Sequence, residues 1–540
     1  MRKFLLAAAA VLCSTTATAQ PAPAPKLIVA IAVDQFSADL YDQYRPHFTA
    51  GLRRLSSGTV FRNGYQAQNA TETCPGHSTI LTGTYPARNG IIANTWFDLT
   101  QQRDDKGVYC AEDERVPGSS TTAYTVSPYH LLAPTLGDRL KQARPASRNV
   151  AVSGKDRGAV MMSGHDADQR WYWVNNKFVT DLKGKPVPQA VTRGNAAIAA
   201  ALAAPRPPLE LPPLCQAKAK PVAIENSEKK VGTGAFARNE QDAAAFRASP
   251  ELDGATLAVA AALVDELQLG RQADPDVLSI SLSATDYVGH TYGSDGSEMC
   301  LQMLALDREL GDFLKFLDGR GIDYSVLLTA DHGGLDIPER QRGAGHPDAA
   351  RVDPNLNAGK VGLQIVQELG LPGFGLYGEG SFGDMYVDRS LTEEQRKLVL
   401  AKAVAAFRAH PQVEAVFTGE QLAATPVATT PPDQWTLIQR ARASYFPGRS
   451  GDLVVLLKRN ITPISDTSRY VATHGSAWDY DRRVPILFWR QGMAPSERND
   501  AVSTVDIMPT LAASLGLAVD QKSIDGECLS GISTVVCPPR

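Results

Sequence analysis

Short, nearly continuous runs of apolar and β-branched residues recur along the chain. Runs of this length without a polar face are typical of strands buried on both faces of a parallel sheet. The pattern predicts strands at Leu27–Val33, Asn149–Ser153, Asp276–Leu282, Tyr324–Thr329, Leu453–Leu457 and Val484–Trp489.

Helical spacing appears between these runs. Ala and Leu recur at helical spacing over Gly254–Leu269, and the apolar residues of Met303–Leu317 have the same spacing. Further helices are predicted at Thr392–His410 and Thr504–Leu515. Strands that alternate with helices predict an α/β fold built on a largely parallel sheet.

Two regions interrupt this alternation. Residues from about 161 to 239 are rich in Pro, Lys and polar side chains, and residues from about 337 to 450 contain glycine clusters. We expect both regions to be insertions that cap the core of a single domain covering residues 26–540.

Composition and charge narrow the classes of partner. The net charge of the 540 residues is -4 and no stretch is strongly basic, which argues against a nucleic-acid-binding surface. Beyond the N-terminus, no segment has the ~18 consecutive apolar residues of a membrane span. The sequence does not fix the oligomeric state.

The first 19 residues have the pattern of a secretory signal peptide. Arg2 and Lys3 precede an apolar run, and residues 17–19 are small enough for cleavage. The Pro/Ala-rich residues 20–25 are predicted to form a disordered tail. These features predict a periplasmic or secreted protein.

Six of the seven cysteines follow the predicted signal peptide. An even number in an exported protein favours disulfides, although spacing does not determine their connectivity. Our hypothesis pairs Cys528 with Cys537, Cys74 with Cys110, and Cys215 with Cys300.

Charged residues follow four of the predicted strands closely. In an open parallel sheet, ligands bind beyond the carboxyl ends of the strands, so these side chains should converge on one edge. A lone Asp in such a place is more often a turn or helix cap, but charged residues after four separate strands together favour a binding site. The residues are Asp34, Lys155, Asp286 and the adjacent pair Asp331 and His332.

Histidines add to this set. Asp286 and His290 are four residues apart, so they would share one face of a helical turn. His474 follows a later loop. Carboxylates with neutral imidazoles are typical zinc ligands, and seven candidate ligands, one of them a hydroxyl, would suit two metal ions.

The candidate hydroxyl belongs to Thr73. Pro75 suits the first turn of a helix, and Thr73 suits its N-cap. A helix N-terminus offers free N–H groups and positive potential to an anion. A capping threonine alone would be unremarkable, but here a metal could lower its pKa and make it a nucleophile.

The segments Thr-Cys-Pro-Gly-His, Asp-Tyr-Val-Gly-His, Thr-Ala-Asp-His-Gly-Gly and Thr-His-Gly are jointly very specific. With them, the chain resembles the alkaline phosphatase superfamily, in the branch that contains nucleotide pyrophosphatase/phosphodiesterases and PafA-type alkaline phosphatases. The resemblance covers nearly the whole mature chain. It implies an alkaline-phosphatase-like sandwich with a largely parallel central sheet, flanking helices and capping insertions.

The resemblance also implies roles for individual residues. One zinc ion would be held by Asp34, Thr73, Asp331 and His332, and the other by Asp286, His290 and His474. Thr73 would attack a phosphate monoester and form a phosphothreonine, which water then hydrolyses to release inorganic phosphate. One metal would lower the pKa of the Thr73 hydroxyl, and the other would coordinate the leaving oxygen.

Three further residues match elements that contact phosphate. Asn94 matches an asparagine found in both branches, and Lys155 with Arg157 matches the Lys-x-Arg element of the monoesterases. A monoester carries one more negative charge than a diester, so two added cations would favour it. The alternatives are a phosphodiesterase of the same fold and, more remotely, a non-catalytic anion-binding protein.

Overall fold

The computed structural model describes residues 23–539. The predicted signal peptide and the first residues of the predicted tail lie outside this range. Within it, no helix combines the length and the apolar character that crossing a membrane requires.

The strands match most of the predicted runs. In chain order they are β1 Leu27–Val33, β2 Thr59–Tyr65, β3 Thr95–Phe97, β4 Gly107–Tyr109, β5 Asn149–Ser153, β6 Gln169–Val174, β7 Lys177–Val179, β8 Val222–Ala223, β9 Lys230–Val231, β10 Asp276–Leu282, β11 Tyr324–Thr329, β12 Ala350–Arg351, β13 Leu376–Tyr377, β14 Gly383–Val387, β15 Val413–Thr418, β16 Leu453–Leu457, β17 Ile461–Thr462, β18 Arg483–Arg490, β19 Ser496–Arg498 and β20 Val502–Ser503.

The helices fill most of the segments between strands. They are α1 Ala38–Tyr44, α2 Gly51–Leu55, α3 Thr73–Thr82, α4 Pro86–Asn89, α5 Leu136–Ala143, α6 Asp156–Ser163, α7 Gln189–Leu202, α8 Pro213–Lys218, α9 Ala243–Arg247, α10 Glu251–Glu266, α11 Ala284–Tyr292, α12 Ser297–Gly319, α13 Pro338–Gly343, α14 Ala358–Leu369, α15 Glu393–Ala409, α16 Gly419–Ala424, α17 Leu437–Ser444, α18 Asp479–Arg482 and α19 Ile507–Ser514. Short 3-10 turns lie at Arg45–His47, Pro354–Leu356, Pro432–Gln434, Thr504–Asp506 and Gln521–Ser523.

The central sheet has the order β19-β2-β18-β11-β1-β10-β5-β6-β7, with β20 also paired to β2. Strands β11, β1, β10, β5 and β6 are mutually parallel. Strand β18 runs antiparallel to both of its neighbours, β11 and β2. The predicted α/β class with a largely parallel central sheet is therefore confirmed.

Both faces of the sheet are covered by apolar side chains, as the continuous runs predicted. Alternate residues of β1 enter two different clusters: Val29 and Ile31 pack with helices α10 and α12, whereas Ile28 and Ala30 pack with α3 and α19. All seven residues of β1 are buried. This two-sided burial explains why the strand carries no polar face.

The prediction for Leu453–Leu457 was wrong in one respect. The segment is a strand, β16, but it lies in a separate antiparallel sheet of order β13-β14-β16-β15. Leu453 and Val455 pack in one apolar cluster, and Val454 and Leu456 pack in another. Burial on two sides produced the same continuous run that a central strand has.

The two predicted insertions differ in how they join the core. The region from about 161 to 239 contributes β6 and β7 to the edge of the central sheet. Most of the second region packs with β16 around its own apolar cluster, which contains helices α14 and α15. The division into one capped domain stays a prediction.

The three predicted disulfides are confirmed. Cys528 pairs with Cys537, Cys74 with Cys110, and Cys215 with Cys300. The first of these closes a short C-terminal loop, whereas the Cys74 bond attaches the start of α3 to the residue after β4.

Candidate active site

The carboxyl ends of the parallel strands bring the predicted residues together. Asp34 directly follows β1, Lys155 follows β5, and Asp331 follows β11. Asp286 lies in the first turn of α11, just beyond β10. Because these strands are neighbours and parallel, their side chains meet at one buried edge.

Two groups of side chains at this edge have the spacing of metal ligands. Asp286, His332 and His474 form one group, and Asp34, His77 and Asp331 form the other; within each, the donor atoms lie within 4.8 Å of one another. All six residues are buried. Buried carboxylates grouped with imidazoles are a donor set typical of zinc and related divalent ions.

The histidines are oriented so that one ring nitrogen remains available. The Nδ1 atoms of His290, His332 and His474 each lie 2.8 Å from a backbone carbonyl oxygen. Such a contact keeps the proton on Nδ1 and leaves the lone pair on Nε2 for a metal.

Unsatisfied buried atoms supply a direct test of whether a metal fits. Within residues 23–539, Asp286 Oδ1, Asp331 Oδ2 and His332 Nε2 are buried without a hydrogen-bond partner. Buried polar atoms are rarely left unpaired, so these atoms require a ligand. The donors present therefore fit metal ions.

His332 belongs to the first group and also contacts Asp331 of the second group. Its Nε2 atom is 3.2 Å from Asp331 Oδ2, and its ring stacks on that of His474 with the centroids 3.6 Å apart. His290 Nε2 and His474 Nε2 are each 3.3 Å from Asp286 Oδ1. The expected partition of His332 with Asp34 and of His290 with Asp286 stays a prediction.

The two carboxylate oxygens of Asp331 have different neighbours. Its Oδ1 atom accepts hydrogen bonds from the backbone N–H groups of Gln35, at 3.1 Å, and His332, at 2.9 Å. Burial opposes ionisation, but His332 and His77 hold the pKa of Asp331 well below its usual value. The carboxylate is thus anionic and keeps Oδ2 for a cation.

His77 was not among the seven candidate metal ligands predicted from the sequence. The structure places His77 Nδ1 3.2 Å from Asp331 Oδ2 and Nε2 3.4 Å from Asp34 Oδ1. Burial alone would lower its pKa, but the two carboxylates raise the pKa to about 10. The only signal in the sequence was its place one helical turn after Thr73.

Thr73 begins α3, and Glu72 occupies the N-cap position. The prediction that Thr73 caps the helix was therefore wrong by one residue, because the backbone of Thr73 is already helical. Thr73 is buried, and Arg157 Nη2 lies 3.4 Å from its Oγ1 atom. The hydroxyl thus lies beside a cation at the start of a helix of ten residues.

Lys155 contacts the carboxylates directly. Its Nζ atom lies 2.5 Å from Asp286 Oδ2 and 2.9 Å from Asp34 Oδ2, so it bridges the two groups. Burial favours the neutral amine, but these carboxylates raise the pKa of Lys155 above its usual value. The cation is therefore charged and central to the site.

Asn94 and Glu72 are linked by hydrogen bonds beside Thr73. The backbone N–H of Cys74 donates to Asn94 Oδ1 at 2.9 Å, and the backbone N–H of Asn94 donates to Glu72 Oε2 at 2.8 Å. Burial raises the pKa of Glu72. Sequence reasoning missed Glu72, since an acid next to a threonine carries no distinctive pattern.

Residues 28–477 match the sequence profile of the family described as Type I phosphodiesterase / nucleotide pyrophosphatase. The chain belongs to this family. The match includes every predicted metal ligand, from Asp34 to His474.

Curated relatives and solved structures cover nearly the whole chain. It is 54% identical to the alkaline phosphatase PhoK of a Sphingomonas species, over 94% of this chain and 91% of that protein. It is 44% identical to the alkaline phosphatase PhoD of Zymomonas mobilis, over 95% and 90% respectively. The crystal structure of wild-type alkaline phosphatase PafA aligns with a TM-score of 0.81 at 26% identity, over 96% and 100%.

A second PafA crystal structure is of a variant substituted at a threonine, an asparagine, a lysine and an arginine, in that order along its chain. It has a TM-score of 0.81 at 25% identity and covers 94% of this chain and 99% of its own. Thr73, Asn94, Lys155 and Arg157 occur in the same order here.

Proposed function

We propose that this chain is an exported two-zinc alkaline phosphatase that hydrolyses phosphate monoesters through a phosphothreonine on Thr73. It is a phosphatase, because it is 54% and 44% identical to two named alkaline phosphatases over nearly its whole length. The observation that carries the finer proposal is the position of Thr73 Oγ1, at a helix start and 3.4 Å from Arg157 Nη2.

Four side chains have separate tasks in the proposed reaction. Thr73 Oγ1 loses its proton and attacks phosphorus, the bond from phosphorus to the leaving oxygen breaks on the opposite side, and that oxygen takes up a proton from solvent. Water then cleaves the Thr73 ester, which restores the hydroxyl and releases inorganic phosphate. Arg157 holds the non-bridging oxygens by hydrogen bonds from its planar guanidinium group. Asn94 adds a donor, because its Oδ1 atom is already bound to Cys74 N–H and its Nδ2 group remains for phosphate.

Lys155 supplies the remaining positive charge. It lies against Asp34 and Asp286, so it compensates two buried carboxylates, and its proposed task is to add positive charge beside the phosphate. Zinc ions bound by the predicted ligands would supply a Lewis acid that favours ionised oxygen nucleophiles. The ligands proposed are Asp34, Thr73, Asp331 and His332 for one ion, and Asp286, His290 and His474 for the other.

Export is part of the proposal. Three disulfides are typical of proteins that fold outside a reducing compartment. Together with the sequence of residues 1–19, they support a periplasmic or secreted location. The predicted substrate partner is a small phosphate monoester.

The deciding experiment compares initial rates of the zinc-loaded protein on an aryl phosphate monoester and on the matching diester. We expect kcat/KM to favour the monoester strongly. Arg157→Ala should lower this preference by roughly tenfold or more, since a charge-assisted hydrogen bond is lost. A wild-type preference for the diester would contradict the proposal.

The nucleophile is tested separately with Thr73→Ala and Thr73→Ser. Thr73→Ala should lower kcat by roughly 10³-fold or more and abolish acid-stable labelling by a radioactive phosphate ester. Thr73→Ser retains a hydroxyl and should retain labelling at serine. Near-normal turnover of Thr73→Ala would refute the nucleophile assignment.

A phosphodiesterase is the second candidate. The matching family description names phosphodiesterases, and Lys155 is engaged by two carboxylates in the structure. If that pairing persists with substrate bound, the site offers less charge to a monoester. The same rate comparison separates the two candidates.

A further inference from the structure

The guanidinium group of Arg157 has no carboxylate partner in the part of the chain that the structure describes. Its side-chain contacts are with two hydroxyl oxygens, Thr73 Oγ1 and Tyr109 Oη, each at 3.4 Å. Its Nε atom is buried, and no residue from 23 to 539 accepts a hydrogen bond from it. A half-buried guanidinium that is not paired directly with a carboxylate is suited to an anionic ligand, but it needs another means of orientation.

The adjacent carboxylate is occupied by other donors. Asp156 Oδ1 accepts hydrogen bonds from Tyr109 Oη and from the backbone N–H of Arg157, both at 2.7 Å. Asp156 Oδ2 accepts from Tyr124 Oη, also at 2.7 Å. Asp156 is thus hydrogen-bonded to two phenols and a backbone N–H, and within residues 23–539 it forms no ion pair with the guanidinium of Arg157.

Tyr109 differs from Tyr124 in one respect. Both phenols donate to Asp156, but only Tyr109 also contacts the guanidinium, through Arg157 Nη1. Because the Tyr109 proton is directed to Asp156, the oxygen lone pairs remain to accept from Arg157. Tyr109 therefore contacts one side of the guanidinium without forming an ion pair with it.

The segment that carries Tyr109 is firmly attached to the nucleophile. Tyr109 ends β4, which pairs with β3 directly after Asn94. The next residue, Cys110, is bonded to Cys74 and donates its N–H to Asn94 O at 2.9 Å. One hairpin thus fixes Asn94, Tyr109 and the start of α3 relative to each other.

We propose that Tyr109 is a positioning residue that holds the guanidinium of Arg157 where the non-bridging oxygens of a phosphate monoester bind. The inference rests on the proposed monoesterase function. Tyr109 acts through Arg157 and does not itself contact the reacting atoms. Its removal should therefore lower kcat/KM for monoesters more than kcat/KM for diesters.

The test uses Tyr109→Phe with Tyr124→Phe as its matched control. Each variant loses one phenol that donates to Asp156 at 2.7 Å, and the two rings are neighbours with centroids 4.6 Å apart. We measure kcat/KM for an aryl monoester and its diester. Tyr109→Phe should lower the monoester-to-diester ratio roughly three- to tenfold, and Tyr124→Phe should change it less than twofold.

A double-mutant cycle asks whether the effect passes through Arg157. In an Arg157→Ala background, Tyr109→Phe should change the ratio by less than twofold, because the group it positions is gone. Equal losses in the two phenylalanine variants, or an undiminished Tyr109→Phe effect without Arg157, would overturn the inference. So would an unchanged ratio in Tyr109→Phe.

A second variant tests the proposal if Tyr109→Phe fails to fold. Asp156→Ala removes the acceptor that directs the Tyr109 proton, so it should lower the same ratio in protein whose thermal unfolding remains cooperative. An unchanged ratio would contradict the proposal. If the wild-type enzyme itself showed no monoester preference, the proposed function would fail instead, which distinguishes the two outcomes.

Discussion

Gly76 shows how closely helix α3, which begins at the proposed nucleophile Thr73, approaches the residues that follow β11. A Cβ atom at this position would lie 2.0 Å from the backbone oxygen of Asp331 and 2.6 Å from its carbonyl carbon. Neither atom can move without displacing Asp331, a predicted metal ligand. Glycine at this position therefore permits the close approach of helix α3, which begins at Thr73, to Asp331.

We predict that Gly76→Ala destabilises the protein by roughly 3 kcal/mol or more and lowers activity, because the clash is with backbone. Gly343→Ala is the control, since it is also a helical glycine but its Cβ would have no atom within 4 Å. Thermal unfolding and metal content of both variants measure the difference. A stable, fully metal-loaded Gly76→Ala protein would contradict this account.

Asp253 is a buried acid near the site with an unusual pKa. Its carboxylate accepts hydrogen bonds from the backbone N–H of Ala284, at 2.9 Å, and from Gln302 Nε2, at 3.1 Å. Burial is the largest influence and raises the pKa of Asp253 to about 7. In the unfolded chain an aspartate titrates near ~3.9.

This raised pKa predicts a stability that depends on pH. Between the unfolded and folded pKa values, the folded state holds a proton that the unfolded state has lost. The stabilisation is complete below pH ~4 and is lost as the pH rises through about 7. Asp253→Asn should therefore reduce the stability lost between pH 5 and pH 8, by roughly 1–3 kcal/mol.

Chemical denaturation at the two pH values measures this effect. Asp265→Asn, on the same helix α10, is the control because Asp265 is about half exposed and paired with Arg320. Its pH dependence should stay close to that of the wild type. An unchanged pH dependence in Asp253→Asn would show that the Asp253 carboxyl does not titrate in this range.

At the scale of elements, the β3-β4 hairpin connects residues that we propose to bind or position the phosphate. It follows Asn94, ends at Tyr109 and is tied through Cys110 to Cys74, the neighbour of Thr73. The disulfide thus links two elements whose mutual position matters for the proposed reaction. The Cys528–Cys537 bond instead closes a short loop at the C-terminus.

We predict different outcomes for removing these two disulfides. Replacing Cys74 and Cys110 by Ser should cost about 3–4 kcal/mol of stability and also lower kcat/KM for monoesters, because Asn94 and Tyr109 lose their anchor. Replacing Cys528 and Cys537 should lower stability by less and leave kcat/KM nearly unchanged. Equal catalytic losses in both pairs would argue against a role for the hairpin in positioning.

At the scale of the whole molecule, the site connects segments that are distant in sequence. Its two ligand groups draw residues from the ends of β1 and β11, from α3 and α11, and from the loop that contains His474. A metal bound here would link these segments in the folded chain only. Metal binding should therefore contribute to the stability of the entire fold.

Removal of metal by a chelator should lower both activity and the unfolding temperature, and added zinc should restore both. Free metal at about 1,000 times its Kd contributes about 4 kcal/mol to the folded state. Asp331→Asn is the comparison variant and should show a smaller change on chelation. A chelator without effect on the unfolding temperature of metal-loaded wild type would contradict a structural contribution.

The sequence by itself determined the bounds of the central parallel strands and the order of the candidate ligands along the chain. Strands β1, β5, β10 and β11 have the bounds that their apolar runs predicted, since burial on both faces leaves a local pattern. Asp34, Asp286 and Asp331 follow the strands β1, β10 and β11 in the sequence, so they lie beyond the ends of these strands. Local spacing also predicted the pair Asp286 and His290, because four residues make about one helical turn.

Tertiary structure decided which residues these elements face. Leu453–Leu457 reads like a central strand, yet it joins another sheet, because a run of apolar residues records burial and not the identity of the neighbours. Likewise, the contacts of His77 with Asp34 and of Tyr109 with Arg157 join segments far apart in sequence. Such contacts depend on how distant elements pack, and this packing leaves no periodic pattern in the residues themselves.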